Sequence, residues 1–343
     1  MKYIGIMITL LAGACFGAST SDIGTDAGVF LRMGAGARAA GMGDTYSAVC
    51  DDASAVYWNP AALNKAGSFG LMLMDAMWFE NVSYEWGAIN FSTEAGKFGV
   101  GIQYVSYGAI TETDATGLDY GSLSPTDLAA SLSYANKFMG FDLGVTAKYI
   151  SMALQSAATG FTFDVGIEKM LELSSDLKIN VALVGDNIFG QTINFGDMNE
   201  PLTAYYKLGV AVTLSKDLLV TAEASMPSDN AMYYSAGAEY TVNLTGDLKG
   251  KVRCGYNTMS TLTGGLNGLT LGMGLGSSEY SVDYAFVPNG NLGYTNIVSF
   301  TVAFGRGKEK EKEQEPAKKY TMHKTFSVTP NSGNNVIKPF NAN

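Results

Sequence analysis

The stretch KFGVGIQYVSYG, Lys97–Gly108, alternates large apolar residues with small or polar ones. One face of it carries Phe98, Val100, Ile102 and Tyr104. The other face carries Lys97, Gly99, Gly101 and Gln103. Because successive side chains of a β-strand point to opposite sides, this period of two predicts a strand with one apolar and one polar face.

Similar segments recur from residue 68 to residue 305, each about ten residues long and bounded by turn residues. Clear examples are Phe141–Tyr149, Phe161–Glu168 and Leu248–Tyr256. Fourteen such segments predict an all-β fold, a 14-stranded antiparallel transmembrane β-barrel, because an even number of strands closes with both chain ends on one side of the membrane. A soluble β-sandwich or propeller is the alternative.

The lengths of the connections favour the barrel. The three longest, 109–126, 190–202 and 259–267, follow the third, seventh and eleventh segments and so lie at one end. Connections after even-numbered segments are short, such as Lys216–Asp217. Long loops outside and short turns in the periplasm are typical of bacterial outer-membrane barrels, so we expect the bacterial cell outer membrane as the location and its lipid as the surroundings.

Composition narrows the class further. The chain has 343 residues, 47% hydrophobic and 16% charged, with a mean hydropathy of +0.08. Beyond the N-terminus it has no apolar run of the length that a spanning helix needs. The net charge of −10 disfavours a nucleic-acid partner because phosphate would be repelled.

Both ends of the chain differ from the strand region. Residues 1–19 read as a secretory signal peptide, with cleavage after Ala14 or Ser19, and lipidation of Cys15 is left open. Residues 306–343 begin with the mixed-charge run RGKEKEKEQEPAKK, which cannot bury a core. We expect a charged linker and a periplasmic C-terminal tail there.

The polar faces of the segments carry charges that a barrel would place in its lumen: Asp142, Lys148, Asp164, Glu168, Lys249, Lys251 and Arg253. Charges in a filled interior need partners. We expect the three cations between residues 249 and 253 to pair with Asp142, Asp164 or Glu168; binding of an anionic solute is the alternative.

One stretch does not alternate: FLRMGAGARAAGMGDTYSAVCDDASAVYWNPAAL, Phe30–Leu63. Its glycines permit tight turns, and Asn59-Pro60 favours a turn. It resembles the N-terminal signature of the PorV/PorQ family, a branch of the FadL-like outer-membrane proteins. The matching residues are Gly36, Arg38, Gly41, Gly43, Asp51, Asp52, Tyr57, Trp58, Asn59, Pro60 and Ala61. The resemblance implies an N-terminal plug, a hatch over residues 20–66, inside a barrel of residues 67–305.

The chain carries no catalytic or metal-binding constellation that we can identify. His323 is the only histidine and lies in the tail. Asp51 and Asp52 lack further ligands at metal spacing, so hydrogen bonding or helix capping is expected of them. Trp58 is expected to anchor the hatch rather than to stack on a substrate. We predict no enzyme activity, no cofactor and no metal.

If Cys15 is removed with the signal peptide, two cysteines remain. Cys50 belongs to the hatch, whereas Cys254 falls on the lipid-facing side of its strand. A disulfide between them would cross the barrel wall, so both are expected to be free thiols.

The resemblance implies a component of the type IX secretion system that binds and shuttles cargo. Its partners would be the secretion translocon and the C-terminal domains of the cargo. The alternative is a transporter of hydrophobic small molecules, such as fatty acids and hydrocarbons, as in the wider FadL-like group. An apolar pocket in the lumen would favour transport, and a sealed polar lumen would favour shuttling.

Overall fold

A computed structural model describes residues 26–78, 82–154, 157–174, 177–189, 192–195, 199–259 and 267–305. The predictions for the signal peptide, Cys15, the tail and most of the connection 259–267 lie outside the described residues.

Fourteen strands form one closed antiparallel barrel. They are β1 (Phe69–Met77), β2 (Ser83–Thr93), β3 (Gly96–Ser106), β6 (Thr126–Phe138), β7 (Phe141–Ala153), β8 (Ala157–Glu172), β9 (Lys178–Ile188), β12 (Tyr205–Ser215), β13 (Leu218–Pro227), β14 (Tyr233–Asn243), β15 (Lys249–Asn257), β16 (Leu269–Gly276), β17 (Tyr280–Pro288) and β18 (Tyr294–Phe304). Each pairs with the next along the chain, and β1 pairs with β18 to close the ring, with Phe69 opposite Phe304. The predicted 14-stranded antiparallel barrel is confirmed.

Two of the three longest connections contain a small hairpin that the sequence did not indicate. β4 (Ile110–Thr113) pairs with β5 (Asp119–Leu123), and β10 (Thr192–Asn194) pairs with β11 (Asn199–Pro201). Both hairpins lie at the same end of the barrel, which we call the long-loop end. The opposite end, with turns such as Met139–Gly140, is the short-turn end.

The outer surface of the barrel is apolar. Its exposed side chains include Leu73, Ile102, Leu132, Val145, Phe161, Val252, Leu271, Val282 and Val298. Aromatic pairs lie near both ends: Phe69–Phe304 and Phe91–Phe98 at the short-turn end, Tyr149–Phe161 and Phe286–Tyr294 at the long-loop end. An apolar band between two aromatic girdles is the surface that a barrel presents to a bilayer.

Residues 26–66, which we call the inner segment, form short helical turns instead of strands. These are Val29–Arg32, Ala37–Ala40, Ala55–Trp58 and Pro60–Lys65. Within the described residues no helix has the length and apolarity needed to span a bilayer. The inner segment contacts the inward faces of strands around the ring, from Gln103 on β3 to Glu239 on β14 and Ser299 on β18.

Candidate functional site

Glycines on the inward faces of the strands allow the inner segment to lie directly against the wall. On β15 and β16, a Cβ at Gly255 would overlap the backbone of Gly43, and one at Gly272 would lie 3.0 Å from Gly41 Cα. Backbone therefore packs on backbone here, and both partners need to be glycine. Gly43 also has a φ of 70°, which favours glycine.

The same packing recurs on the opposite wall. A Cβ at Gly144 on β7 would overlap the backbone of Pro60, and one at Gly166 on β8 would overlap the Asn59 side chain. The small residues on the polar faces of the strands thus make room for the inner segment.

Asn59 joins three parts of the site. Its Oδ1 accepts a hydrogen bond from Ala61 N at 3.0 Å, which caps the helical turn that begins at Pro60. Its Nδ2 donates to Ser47 O and to Glu168 Oε2 on β8, both at 2.9 Å. Asn59 is fully buried, so all of these bonds are made away from solvent.

Tyr57 and Trp58 connect two parts of the inner segment to each other. Trp58 Nε1 donates to Ala35 O at 2.8 Å, and the Tyr57 hydroxyl donates to Leu31 O at 2.9 Å. The two rings meet edge to face with centroids 4.9 Å apart. These contacts describe an anchoring position for Trp58.

Arg38 connects the inner segment to an ion cluster on β14 and β15. It forms two hydrogen bonds with Glu239, at 2.8 and 2.9 Å, and one with Asp51 at 2.9 Å. Arg253 Nε donates to the same Glu239 carboxylate at 2.6 Å, and Arg253 Nη1 lies 2.8 Å from Asp283 Oδ1 on β17. The cluster is mostly buried, and each of its charges has an opposite charge beside it.

Asp51 and Asp52 have different roles. Asp51 pairs with Arg38. Asp52 Oδ1 accepts hydrogen bonds from Ser54 N at 2.9 Å and Ser54 Oγ at 2.5 Å, as in a turn stabilised by an aspartate side chain. Among the described residues, no group of three or more His, Cys, Asp or Glu side chains could hold a metal ion.

The prediction that the cations of β15 pair with Asp142, Asp164 or Glu168 is wrong. Lys251 and Arg253 face Glu239, and Lys249 is exposed at the short-turn end. Asp164 pairs with Lys148 at 2.8 Å, and Glu168 pairs with Lys65 of the inner segment at 2.7 Å. The physical reason is the ring order: β15 stands on the far side of the barrel from β7 and β8.

Asp142 lies on the inward face of β7 near the short-turn end, where Lys137 and Lys65 are close enough to attract its carboxylate. Its Oδ1 has no hydrogen-bond partner among the described residues.

A small cavity lies between the inner segment and the wall, in the half of the lumen nearer the long loops. Its volume is about 70 Å³, and its lining includes Asp44, Tyr57, Trp58, Asp186, Tyr205 and Lys207. Lys207 Nζ lies 2.7 Å from Asp186 Oδ2 and 5.3 Å from the Trp58 ring centroid. Charged and aromatic groups therefore share one enclosed space.

Sequence reasoning missed several groups of this site, among them Arg32, Asp44, Asp186, Lys207, Glu223, Glu239 and Asp283. Most of them lie on the polar face of a predicted strand, as Glu223 and Glu239 do, so strand alternation is the signal that would have found them. Asp44 carried no such signal because it belongs to the inner segment.

Both cysteines are free thiols, as expected. Cys50 is buried inside, and burial raises the pKa of its thiol well above the usual value. Cys254 is exposed on the outer surface.

A closed antiparallel barrel with an apolar exterior and charged groups in its interior is a bacterial outer-membrane β-barrel. No protein-family model matches the sequence, and no curated protein matches it.

Several solved structures resemble this chain in fold, and the match covers nearly the whole length of each of them. The Ralstonia pickettii toluene transporter TbuX is 15% identical, with a TM-score of 0.53 over 79% of this chain and 98% of that one. The P. putida toluene transporter TodX is 13% identical, with a TM-score of 0.51 over 79% and 99%. The CymD monoaromatic hydrocarbon channel is 12% identical, with a TM-score of 0.50 over 79% and 98%. The chain therefore shares the barrel fold of these three proteins.

Proposed function

We propose that this chain transports small hydrophobic compounds across the outer membrane and that its inner segment acts as the hatch. The observation that supports transport is the fold, which 79% of this chain shares with three solved transporters or channels whose solutes are toluene or other monoaromatic hydrocarbons. Transport, binding and release need no covalent chemistry, so no enzyme activity is part of the proposal.

The hatch has to move for a solute to pass. The cavity of about 70 Å³ is less than half of the roughly 150 Å³ that admits benzene in an apolar protein cavity. Under this proposal the described arrangement is the closed state, in which the hatch is held by Arg38–Glu239, Lys65–Glu168 and Arg32–Asp229.

A reversible lock of the hatch tests the proposal. Ala37 N donates to Ser299 Oγ on β18 at 3.2 Å, so the double variant Ala37→Cys/Ser299→Cys places two thiols where the hatch meets the wall. We expect uptake of radiolabelled toluene into cells to fall to background when the pair is oxidised and to recover after reduction. Each single variant is the control. Equal uptake in the oxidised and reduced forms would contradict the hatch.

A second candidate is the cargo carrier of type IX secretion. It is favoured by the resemblance of Phe30–Leu63 to the PorV/PorQ signature and by a lumen that is polar and largely filled. The β4–β5 hairpin also presents Ile110, Leu118 and Tyr120 to solvent, which a protein partner could cover. The comparisons support the transporter better, so the order that the sequence suggested is reversed.

Replacing residues 109–125 with a short turn separates the two candidates. A carrier that grips cargo with this hairpin would lose co-purification with secreted cargo, while uptake of toluene would stay unchanged. Loss of uptake with normal secretion would leave only the transporter.

A further inference from the structure

Of the described residues, three cations and three carboxylates line the luminal cavity, and two of the cations pair with carboxylates outside the lining. Every cation there already has a carboxylate partner. The pairs are Arg32–Asp229, Lys148–Asp164 at 2.8 Å and Lys207–Asp186 at 2.7 Å. Two further carboxylates line the cavity, Asp44 and Glu223. Glu223 accepts hydrogen bonds from the backbone N and the hydroxyl of Ser47.

Asp44 has no such partner. In the part of the chain that the structure describes, its side chain forms no hydrogen bond or ion pair, and its Oδ1 is buried. Gly34 makes room for the carboxylate, because a Cβ there would lie 2.7 Å from Asp44 Oδ1 and 3.2 Å from Trp58 Cζ2. Lys207, whose positive charge acts on Asp44, is already paired with Asp186. A carboxylate in an enclosed space that shares its nearby cation with another carboxylate is costly, so the site favours a further, bound cation.

The surroundings of Asp44 suit an ammonium group. Lys207 Nζ lies 5.3 Å from the Trp58 ring centroid and 6.0 Å from that of Tyr57, which are cation–π distances. These rings therefore already stabilise one ammonium ion, and they extend along the wall of the same cavity.

Acceptors without donors point to a ligand with N–H groups. Asp186 and Asn187 both line the cavity. The Oδ1 atom of each is buried and has no hydrogen-bond partner among the described residues. Leaving a buried acceptor unpaired costs about 1–3 kcal/mol. A cation that carries N–H donors would satisfy these oxygens, whereas a hydrocarbon would not.

We propose that the luminal cavity binds a small alkylammonium ion, with the Asp44 carboxylate as its counter-ion and the rings of Tyr57 and Trp58 beside it. The volume of about 70 Å³ limits the ligand to the size of methylammonium or a close homologue. This site belongs to the closed state and goes beyond the proposed transport of hydrophobic compounds.

The test uses the purified full chain in detergent and methylammonium chloride as the probe. Binding is measured by calorimetric titration and by ligand-detected NMR. We expect one saturable site in the wild type and an affinity at least about tenfold lower in Asp44→Asn, since the ion pair is worth on the order of one factor of ten. Asp114→Asn, which changes an exposed loop carboxylate that accepts hydrogen bonds from Thr116, is the matched control and should bind as the wild type does.

Sodium chloride and methanol serve as control solutes. Binding of methylammonium that is not saturable, that is equal in Asp44→Asn, or that sodium ions match, would overturn the proposal, and water would then be the only occupant. If Asp44→Asn does not fold, Gly34→Ala is the second variant: its methyl group displaces the carboxylate, so the affinity should also fall at least about tenfold.

The outcome is independent of transport. Uptake of toluene without methylammonium binding would refute this site and leave the proposed function. Methylammonium binding without uptake of toluene would support this site and refute the proposed function.

Discussion

At the scale of single residues, glycine decides whether the inner segment can lie in the barrel. Gly255 faces the Gly43 backbone, and Gly237 faces Met42, where a Cβ would lie 2.5 Å from the carbonyl oxygen. Neither the strand nor the inner segment can shift away at these points, because other contacts hold the backbone of both. A single methyl group is therefore enough to disturb the docking.

We expect Gly255→Ala to loosen the inner segment, whereas Gly250→Ala on the same strand should be neutral. A Cβ at Gly250 would find its nearest neighbour at 3.7 Å, so nothing is displaced there. The buried Cys50 reports docking in a Cys254→Ser background. Alkylation of Cys50 should be several-fold faster in Gly255→Ala, in line with an overpacking cost of about 1–3 kcal/mol. Equal rates in the two variants would contradict the close contact.

Asp44 gives the docking a pH dependence. Burial, with a further contribution from the negative charge of Glu223, raises the pKa of Asp44 from 3.8 to about 6, while Lys207 opposes the shift. The protonated form is thus favoured when the segment is docked, so its stabilisation is full below pH 3.8 and is lost as the pH rises through about 6.

The buried Cys50 should therefore be better protected from alkylation at pH 5 than at pH 7.5, after the rates are corrected for the reactivity of a free thiol at each pH. Asp44→Asn should remove most of this difference. An unchanged pH dependence in that variant would show that another group is responsible.

At the scale of elements, strands β14 and β15 meet the inner segment through one carboxylate. Glu239 accepts from Arg38 and from Arg253, and Lys251 Nζ lies 3.9 Å away. Removal of that charge leaves three cations with the carboxylates of Asp51 and Asp283 alone beside them in the cluster, so buried positive charge is no longer balanced, which is more costly than loss of an exposed pair.

We expect Glu239→Gln to lower the free energy of unfolding by about 3–5 kcal/mol, the usual cost of breaking a buried ion pair. Denaturation in urea, followed by the heat-modifiable mobility of the folded barrel on gels, measures it. Asp247→Asn, in an exposed turn between the same two strands, is the control and should unfold as the wild type does. A loss below about 1 kcal/mol, which is the range of exposed ion pairs, would contradict the claim that Glu239 stabilises the barrel through buried ion pairs.

Elements also show what sequence can predict. All fourteen barrel strands follow from the alternation of side chains, because a wall with lipid on one side and polar groups on the other imposes a period of two. The hairpins β4–β5 and β10–β11 could not be predicted in this way. Their strands have three to five residues and lie outside the wall, so no lipid-facing side imposes an alternating pattern on them.

At the scale of the whole molecule, the inner segment runs from one end of the barrel to the other. Ala27 N donates to Pro201 O at 2.8 Å, and Arg32 Nη2 donates to Thr203 Oγ1 at 2.6 Å, both at the long-loop end. At the short-turn end, Ala66 O accepts from Lys97 Nζ at 3.2 Å, just before β1 begins. The chain thus enters the lumen among the long loops.

This path predicts the side of the barrel on which Asp26, the first described residue, lies. An epitope inserted before Asp26 should be labelled by antibody on intact cells, as an epitope in the 114–118 turn of the β4–β5 hairpin should be. An epitope at Lys216–Asp217, in a short turn, should be labelled only after permeabilisation. Labelling of the first epitope only after permeabilisation would refute the path.

The sequence by itself determined the number of strands, the side of each strand that meets lipid and the end at which the long loops lie. These properties depend on local periodicity and on the length of each connection, which need no knowledge of distant contacts. The sequence also set the inner segment apart, because a glycine-rich stretch without alternation cannot be a strand of that wall.

Only the tertiary structure decided which charges meet. Closure of the ring sets β15 across from β7 and β8, out of reach of Asp164 and Glu168. Arg253 instead lies opposite Glu239 in the register of β14 and β15, and Glu168 reaches Lys65 of the inner segment. The cavity beside Asp44 exists for the same reason. It is bounded by side chains far apart in sequence, and their distances follow from the curvature of the wall and the path of the inner segment, which no local pattern encodes.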